Sequence, residues 1–198
     1  AVNELKGDGP ADRPEVRVEL PVNAHIPHDY LPGERLRLEA YTQIAAIDSD
    51  RDVSAVADEL TDRYGQLPAP VLNLLEVARL RARARRAGLT DITLQGNHVR
   101  FAPVELPDSR QVRVQRLYPR TLLKPAVRTM LVPVPKAAPG SSGAAVTTGA
   151  ARGRAVATAA PTAIGGEPLR DRDMLAWCTE LIDAVFGEPA QGSARGQG

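Results

Sequence analysis

The strongest constraint on the fold is a change of hydrophobic periodicity along the chain. Three segments between residues 33 and 88 place apolar residues at the i, i+3, i+4 spacing of amphipathic helices. At 16–20, 91–101 and 111–117, apolar and polar residues alternate instead, which is the period of half-buried strands. Strands on both sides of a group of helices predict an α+β fold, in which several helices pack on a small, mainly antiparallel sheet.

The three helical segments carry start and stop signals. The first extends from about Gly33 to Ala46. The second begins after Asp52, a favourable N-cap residue, and stops before Gly65, whereas the third opens at Pro68 and stops before Gly88. Their predicted buried faces are Leu38, Tyr41, Ile44 and Ala45 in the first helix, Val53, Val56, Ala57, Leu60 and Tyr64 in the second, and Val71, Leu74, Leu75, Ala78 and Ala82 in the third.

The apolar runs that follow are short. A hairpin is predicted for 91–94 and 98–101, around a Gln-Gly-Asn turn, and a further strand for 111–117. The run 129–134 contains a proline and is followed by another, so we expect it at an edge or an end of the sheet.

Composition divides the chain into five parts. We expect 1–14 to be a linker, 15–136 to be the α+β domain and 188–198 to be a solvated tail. Alanine, glycine, serine and threonine dominate 137–166, which cannot bury enough apolar surface to offset an ordering entropy of roughly 1–2 kcal/mol per residue. This stretch is predicted to be a disordered insertion. A last helix is predicted within 167–187, packing back on the domain through Met174, Cys178, Leu181, Ile182 and Val185.

Overall composition excludes several functional classes. The net charge is +1, which gives no global electrostatic case for binding nucleic acid or a membrane. No apolar run approaches the roughly 20 residues that span a bilayer. The single cysteine, Cys178, excludes an intramolecular disulfide and suits a reducing, cytoplasmic compartment. Because the chain also lacks an initiator methionine, we expect a fragment of a longer protein.

No motif typical of catalysis is present, so this chain is predicted to be non-catalytic. It lacks a glycine-rich phosphate loop and a nucleophile elbow. Cys178 lies in an apolar helical stripe, where a buried, inert thiol is the expected state. A metal site is the remaining enzymatic hypothesis, since His25, His28 and Asp29 lie close together in the sequence.

Two charged helical faces are candidates for binding. Arg79, Arg83 and Arg86 share one face of the Arg-rich helix 76–86, which suggests either a solvated surface or a nucleic-acid-binding module. Glu59 and Asp62 lie about 60° apart on the side of the second helix opposite its apolar stripe, with Arg63 one position beyond. A compact acidic pair is suited to receive arginines from a partner domain, because carboxylate–guanidinium pairs are directional. Solubility alone would also explain these charges.

Several blocks in order resemble the C-terminal domain of the bacterial transcription-repair coupling factor. They are Ile26-Pro-His-Asp-Tyr-Leu-Pro, Arg37-Leu38 with Tyr41 and Ile44-Ala45, Asp58-Glu-Leu-Thr-Asp-Arg-Tyr-Gly65 with Pro68, Leu74-Leu75 with Ala78-Arg79-Leu80, and Ala87-Gly88. The resemblance extends from about residue 15 to residue 102 and more loosely to residue 134.

The resemblance implies a regulatory role within a large multidomain protein. In that family the chemistry lies in an upstream ATP-dependent DNA translocase, which would use ATP and Mg²⁺, whereas the C-terminal domain would need no cofactor. This domain is implied to mask an N-terminal excision-repair-like module and to restrain the translocase. Residues 1–14 would then connect it to the motor, and Glu59 and Asp62 would face arginines of the N-terminal module.

The implied partners follow from the same resemblance. The direct partner would be the N-terminal module of the same protein. The full-length protein would release RNA polymerase stalled at DNA lesions, act on double-stranded DNA and recruit the excision-repair damage-recognition protein UvrA. No membrane partner is implied.

Overall fold

The computed structural model describes residues 15–136 and 169–187. The predicted linker 1–14, insertion 137–166 and tail 188–198 therefore lie outside the described residues. The described elements are β1 (Arg17–Glu19), α1 (Glu34–Ala45), α2 (Asp50–Tyr64), α3 (Ala69–Arg86), β2 (Asp91–Gln95), β3 (His98–Ala102), α4 (Asp108–Leu117), β4 (Leu122–Lys124), β5 (Thr129–Pro133) and α5 (Asp171–Phe186).

The five strands form one sheet in the order β1-β2-β3-β5-β4. Only the β1–β2 pair is parallel, and the other three pairs are antiparallel. The predicted α+β fold with a mainly antiparallel sheet is therefore confirmed. The predicted hairpin is also present, since Gln95 pairs with His98 across a turn in which Gly96 has a φ of +59°. This left-handed conformation suits glycine, which has no Cβ to clash.

The strand predicted at 111–117 is wrong, because this segment is helix α4. Pro107 caps its start in an extended conformation, and Asp108 lies in the first turn, where the helix dipole favours a negative charge. Val114 is fully buried, but Val112, which a half-buried strand would have placed on the same face, is 66% exposed. The alternation of apolar residues here was therefore incidental.

Of the two positions predicted for the run 129–134, the edge of the sheet is wrong, whereas Pro133 does lie at the end of its strand. β5 lies inside the sheet, between β3 and β4. Pro133 is tolerated because it is the last residue of the strand, opposite His98, where a missing N–H interrupts the ladder only at its end. The true edge strand on this side is β4, which the sequence did not reveal because it is only three residues long.

The start of α2 differs from the prediction by one helical turn. Its N-cap is Ser49, whose hydroxyl accepts a hydrogen bond from the Asp52 N–H at 3.2 Å. The Asp52 carboxylate in turn accepts from the Asp48 N–H at 3.2 Å, so both residues satisfy helix-terminal donors. The predicted end of the helix is confirmed by Gly65, which has a φ of +85°.

Helix α1 buries a narrower face than predicted. Ala40 and Ile44 are buried, as expected for Ile44, but Leu38 is 62% exposed and Tyr41 is 37% exposed. The Tyr41 hydroxyl accepts a hydrogen bond from the Ile26 N–H at 2.9 Å, which anchors the preceding loop to the helix.

Helix α3 connects two hydrophobic clusters. Its first half contributes Val71 and Leu75 to a cluster with α1, α2 and the loop at Ile26–Leu31. Its second half contributes Leu80 and Ala84 to a larger cluster that includes the sheet and α5. Helix α5 packs against α3 and ends at Gly187, and its buried residues are Met174, Leu175, Cys178, Leu181, Ile182 and Val185.

Candidate functional site

The acidic face of α2, defined as Asp58, Glu59 and Asp62, lies on a firmly held helix. Val53 and Leu60 are buried on the opposite side, 4% and 2% exposed. The Ser49 cap at the N-terminal end and the packing of Leu60 near the C-terminal end fix the position of the helix on the domain. The carboxylates therefore project from a rigid support rather than from a loop.

Glu59 and Arg63 are brought together by the helix. The Arg63 guanidinium donates to the Glu59 carboxylate at 3.0 Å, an i,i+4 pair, and lies 5.6 Å from the centre of the Tyr64 ring. Gln43 on α1 also donates to Glu59, at 3.3 Å. The Glu59 side chain is 41% exposed. Its carboxylate therefore uses part of its hydrogen-bonding capacity on Arg63 and Gln43 and remains partly open to solvent.

Asp62 and Asp58 are exposed, and neither forms an ion pair with any residue in 15–136 or 169–187. With Glu59 and Thr61 they line a shallow surface depression of about 490 Å³. Unpaired carboxylates on an open helical surface retain full capacity to accept a guanidinium, including in bidentate geometry.

The arginines of α3 are engaged within the domain. Arg79 pairs with Asp50 at 3.2 Å and with Glu76 at 2.9 Å. Arg83 pairs with Asp50 and also with Asp183 of α5, at 2.8 Å. The guanidinium of Arg83 thus joins α3 to both α2 and α5.

This face of α3 is consequently not the solvent face that the helical wheel suggested. The side chains of Arg79 and Arg83 are 31% and 27% exposed. Desolvation by burial lowers the pKa of Arg83, but the carboxylates of Asp183 and Asp50 outweigh it and raise the pKa above its ordinary value. Arg86 is more exposed and donates to the Asp48 carbonyl oxygen at 2.8 Å.

The residues of the metal hypothesis are separated by their own contacts. The His25 ring nitrogen Nδ1 lies 2.9 Å from Asn23 Oδ1, whereas His28 Nδ1 accepts from the Arg37 guanidinium at 2.7 Å. Among residues 15–136 and 169–187, no three histidine, cysteine, aspartate or glutamate side chains are grouped so as to hold a metal ion.

Cys178 is fully buried, as the sequence predicted, and burial raises the pKa of its thiol. No helix in the described part of the chain is both long enough and apolar enough to cross a bilayer.

A second group of cations lies outside the two charged helical faces that the sequence indicated. Residues 109–128 contain six lysines and arginines and no acidic residue, although the whole chain has a net charge of only +1. The arginines of α3 are denser along the chain. Local charge balance, rather than arginine density, would have identified the segment 109–128.

The chain is similar to proteins of one family in sequence and in fold. Residues 20–114 match the TRCF domain model. Transcription-repair-coupling factors of Mycobacterium bovis and Mycobacterium tuberculosis are each 41% identical over 178 residues, covering 89% of this chain and 12% of the relative. The factor of Staphylococcus haemolyticus is 29% identical over 123 residues, covering 61% of this chain and 10% of the relative.

The fold is also known from a solved structure. The crystal structure of the C-terminal domain of a transcription-repair coupling factor superposes with a TM-score of 0.55 and 17% identity, covering 61% of this chain and 80% of that chain. The chain spans about an eighth of the length of the curated mycobacterial relatives, of which it covers 12%. From these matches, this chain belongs to the transcription-repair-coupling factor family, with its TRCF domain at residues 20–114.

Proposed function

We propose that this chain is the autoinhibitory docking domain of a transcription-repair coupling factor. In the proposal, the acidic face of α2 binds cationic side chains of an excision-repair-like N-terminal module in the same polypeptide. The closed form masks the surface of that module which receives the damage-recognition protein, and it restrains the DNA translocase. Engagement of stalled RNA polymerase opens it.

The observation that carries the proposal is the pair of exposed, unpaired carboxylates on a rigid helix. Some other acidic side chains of the domain are used internally, as Asp50 and Asp183 are by the arginines of α3. Asp58 and Asp62 are instead left without an ion-pair partner in the described ranges. Because the helix is held by its cap and its buried face, its backbone is already ordered, and only the side chains lose conformational freedom on binding.

The three sequence-identified residues take different roles in this proposal. Asp62 makes the direct contact, since nothing within the described ranges competes for its carboxylate. Glu59 contributes a second oxygen pair, which Arg63 and Gln43 hold in place. Arg63 is therefore a positioning residue for Glu59 and does not itself contact the partner.

The strength expected of such a contact suits a switch. Exposed ion pairs contribute about 0.2–1 kcal/mol each, so a few of them form a weak interface. Tethering raises the effective concentration of the two modules to about the millimolar range, which makes even weak contacts sufficient for closure. An external partner of moderate affinity can then displace the domain and shift the population to the open form.

The test is a charge reversal in the full-length coupling factor. Asp62→Lys removes the free carboxylate without breaking a contact inside the described domain. Glu180→Lys is the matched control, because it makes the same change of charge at an exposed position of α5. We expect Asp62→Lys to strengthen binding of the damage-recognition protein by roughly 2- to 5-fold, which corresponds to the loss of about one exposed ion pair, and to raise basal ATPase activity.

The control separates docking from a general effect of charge. Glu180→Lys is expected to leave both measurements at the wild-type level. If Asp62→Lys changes neither partner binding nor ATPase activity, or if Glu180→Lys changes both equally, the docking role of the acidic face is refuted.

A further inference from the structure

We propose that a basic corner of the domain, formed by Arg113, Arg116, Arg120 and Lys124, binds the phosphate backbone of duplex DNA. The corner consists of α4, the turn after it and the edge strand β4. It is distinct from the acidic face of α2 and from the arginines of α3.

The first support is the imbalance of charge in this segment. Between 109 and 128 there are six cations and no carboxylate. The four residues of the basic corner are exposed and have no ion-pair partner among residues 15–136 and 169–187. This separates them from Arg79 and Arg83, which are half-buried and paired. Free cations are what remains available to displace the counterions of DNA.

The second support is the way the backbone displays these side chains. Val114 is buried, so Arg113 and Arg116 lie at i and i+3 on the outward side of α4. Arg120 follows in a tight turn in which the Thr121 N–H donates to the Tyr118 carbonyl oxygen at 3.2 Å.

Arg120 itself has a φ of +72°, in the left-handed region where glycine or asparagine is usual. An arginine at such a position is uncommon. It keeps a long cationic side chain at the apex of the turn, between α4 and Lys124 of the edge strand.

The carboxylates near the corner form no ion pair with its four residues among residues 15–136 and 169–187. Glu105 pairs with Arg128 at 2.8 Å, which is why Arg128 is left out of the basic corner. Asp108 lies in the first turn of α4, where it complements the helix terminus. Glu180 of α5 lies close enough to Tyr118 to raise the pKa of that phenol, after the larger effect of burial.

The ligand is inferred to be a duplex rather than a single strand. Single-stranded nucleic acid is usually held by exposed aromatic rings on which bases stack. The aromatic residue of this segment, Tyr118, is half-buried and packs edge-on against Trp177, with ring centres 6.4 Å apart. Guanidinium groups without a stacking surface are suited to phosphates, whose spacing and charge do not depend on sequence.

The test measures binding of the 198-residue chain to a fluorescein-labelled duplex by fluorescence anisotropy. Four phosphate contacts predict a slope of log K against log salt of about −3.6, or a loss of affinity of roughly 100-fold between about 50 and 200 mM KCl. Replacing all four residues of the basic corner with glutamine is expected to abolish binding at the lower salt concentration. Each single replacement should reduce the slope by about 0.9.

The matched control is Arg81→Gln, which removes one charge from an exposed position of α3. It is expected to bind DNA like the wild type, and circular dichroism of every variant checks that the fold is retained. The proposal is overturned if the wild type does not bind at about 50 mM KCl, or if Arg81→Gln weakens binding as much as Arg113→Gln. It is also overturned if poly-glutamate displaces the duplex as effectively as unlabelled duplex does, because the corner would then be an acidic-protein site.

Discussion

Replacing Arg83 with glutamine removes the guanidinium that joins three helices of the domain. In the wild type this group pairs with Asp50 at the start of α2 and with both carboxylate oxygens of Asp183 in α5, at 2.8 and 2.9 Å. Glutamine keeps a polar side chain but is shorter than arginine and carries no charge. The variant therefore tests whether these contacts stabilise the fold or belong to a binding surface.

The expected loss of stability follows from the geometry and the exposure. The side chains of Asp50 and Asp183 are 52% and 47% exposed. Each ion pair therefore resembles a surface pair, which stabilises a fold by about 0.2–1 kcal/mol. The Arg83 side chain is only 27% exposed, which favours the upper end of that range. We therefore expect the loss of both pairs to lower the free energy of unfolding by about 1–2 kcal/mol. For a domain of this size, that corresponds to a decrease in Tm of roughly 3–8 °C.

The assay is urea unfolding followed by circular dichroism. The control is Arg81→Gln, which removes from the same helix an exposed charge that has no ion-pair partner in the described ranges. The control is expected to change the free energy of unfolding by less than about 0.5 kcal/mol. Equal stability of the Arg83→Gln variant and the wild type would refute the structural role. So would a loss of DNA binding in that variant with its stability intact, because Arg83 would then be a ligand contact.

Three further predictions concern the core, the cap of α2 and the thiol. Leu181→Ala in the fully buried face of α5 should lower the free energy of unfolding by about 2–5 kcal/mol, measured by urea titration. The pKa of Asp52 is lowered by hydrogen bonds from Ser49 and Asp48, so its stabilising effect is present above the ordinary aspartate pKa of about 3.9 and is lost as the pH falls through the lower folded value. Asp52→Asn should accordingly flatten the acid limb of a stability–pH profile, and an unchanged limb would contradict the proposed role of the cap. Cys178 should react with a thiol reagent only at the rate of unfolding, because burial raises the pKa of its thiol.

Local signals in the sequence were sufficient for α2, α3 and the hairpin. Gly65 and Gly88 both have positive φ and mark helix ends, which glycine does regardless of the tertiary context. The Gln-Gly-Asn turn between two apolar runs likewise determines a hairpin by its backbone alone. These features depend on a few adjacent residues, and the sequence displays them directly.

Features that depend on distant residues were missed. The three-residue strand β4 forms only because β5 is available beside it, and nothing within Leu122–Lys124 signals this. The strand predicted at 111–117 is a different case, because Val112 and Val114 alternate there although the adjacent Pro107 and Asp108 form a local helix-start signal. The burial of Leu38 was overestimated because a helical wheel does not reveal how wide a face the neighbouring elements cover.

For the candidate site, the positions of residues within one helix were predictable from the sequence, but their long-range contacts were not. The positions of Glu59, Asp62 and Arg63 on one helix followed from periodicity, although the i,i+4 contact between Glu59 and Arg63 was not predicted. The internal pairing of Arg83 did not follow from periodicity, because Asp183 lies 100 positions away in the sequence. Long-range ion pairs decide which charges remain free, and so the free cations of the basic corner became visible only in the fold.

The most direct test of the proposed docking is a titration of this 198-residue chain into the separately expressed N-terminal module, followed by calorimetry. We expect a salt-sensitive complex in the micromolar-to-millimolar range, which Asp62→Lys weakens and Glu180→Lys leaves unchanged. A complex that forms equally well with Asp62→Lys, or the absence of any complex at low salt with the wild type, would contradict the assignment of the acidic face of α2 as the docking surface.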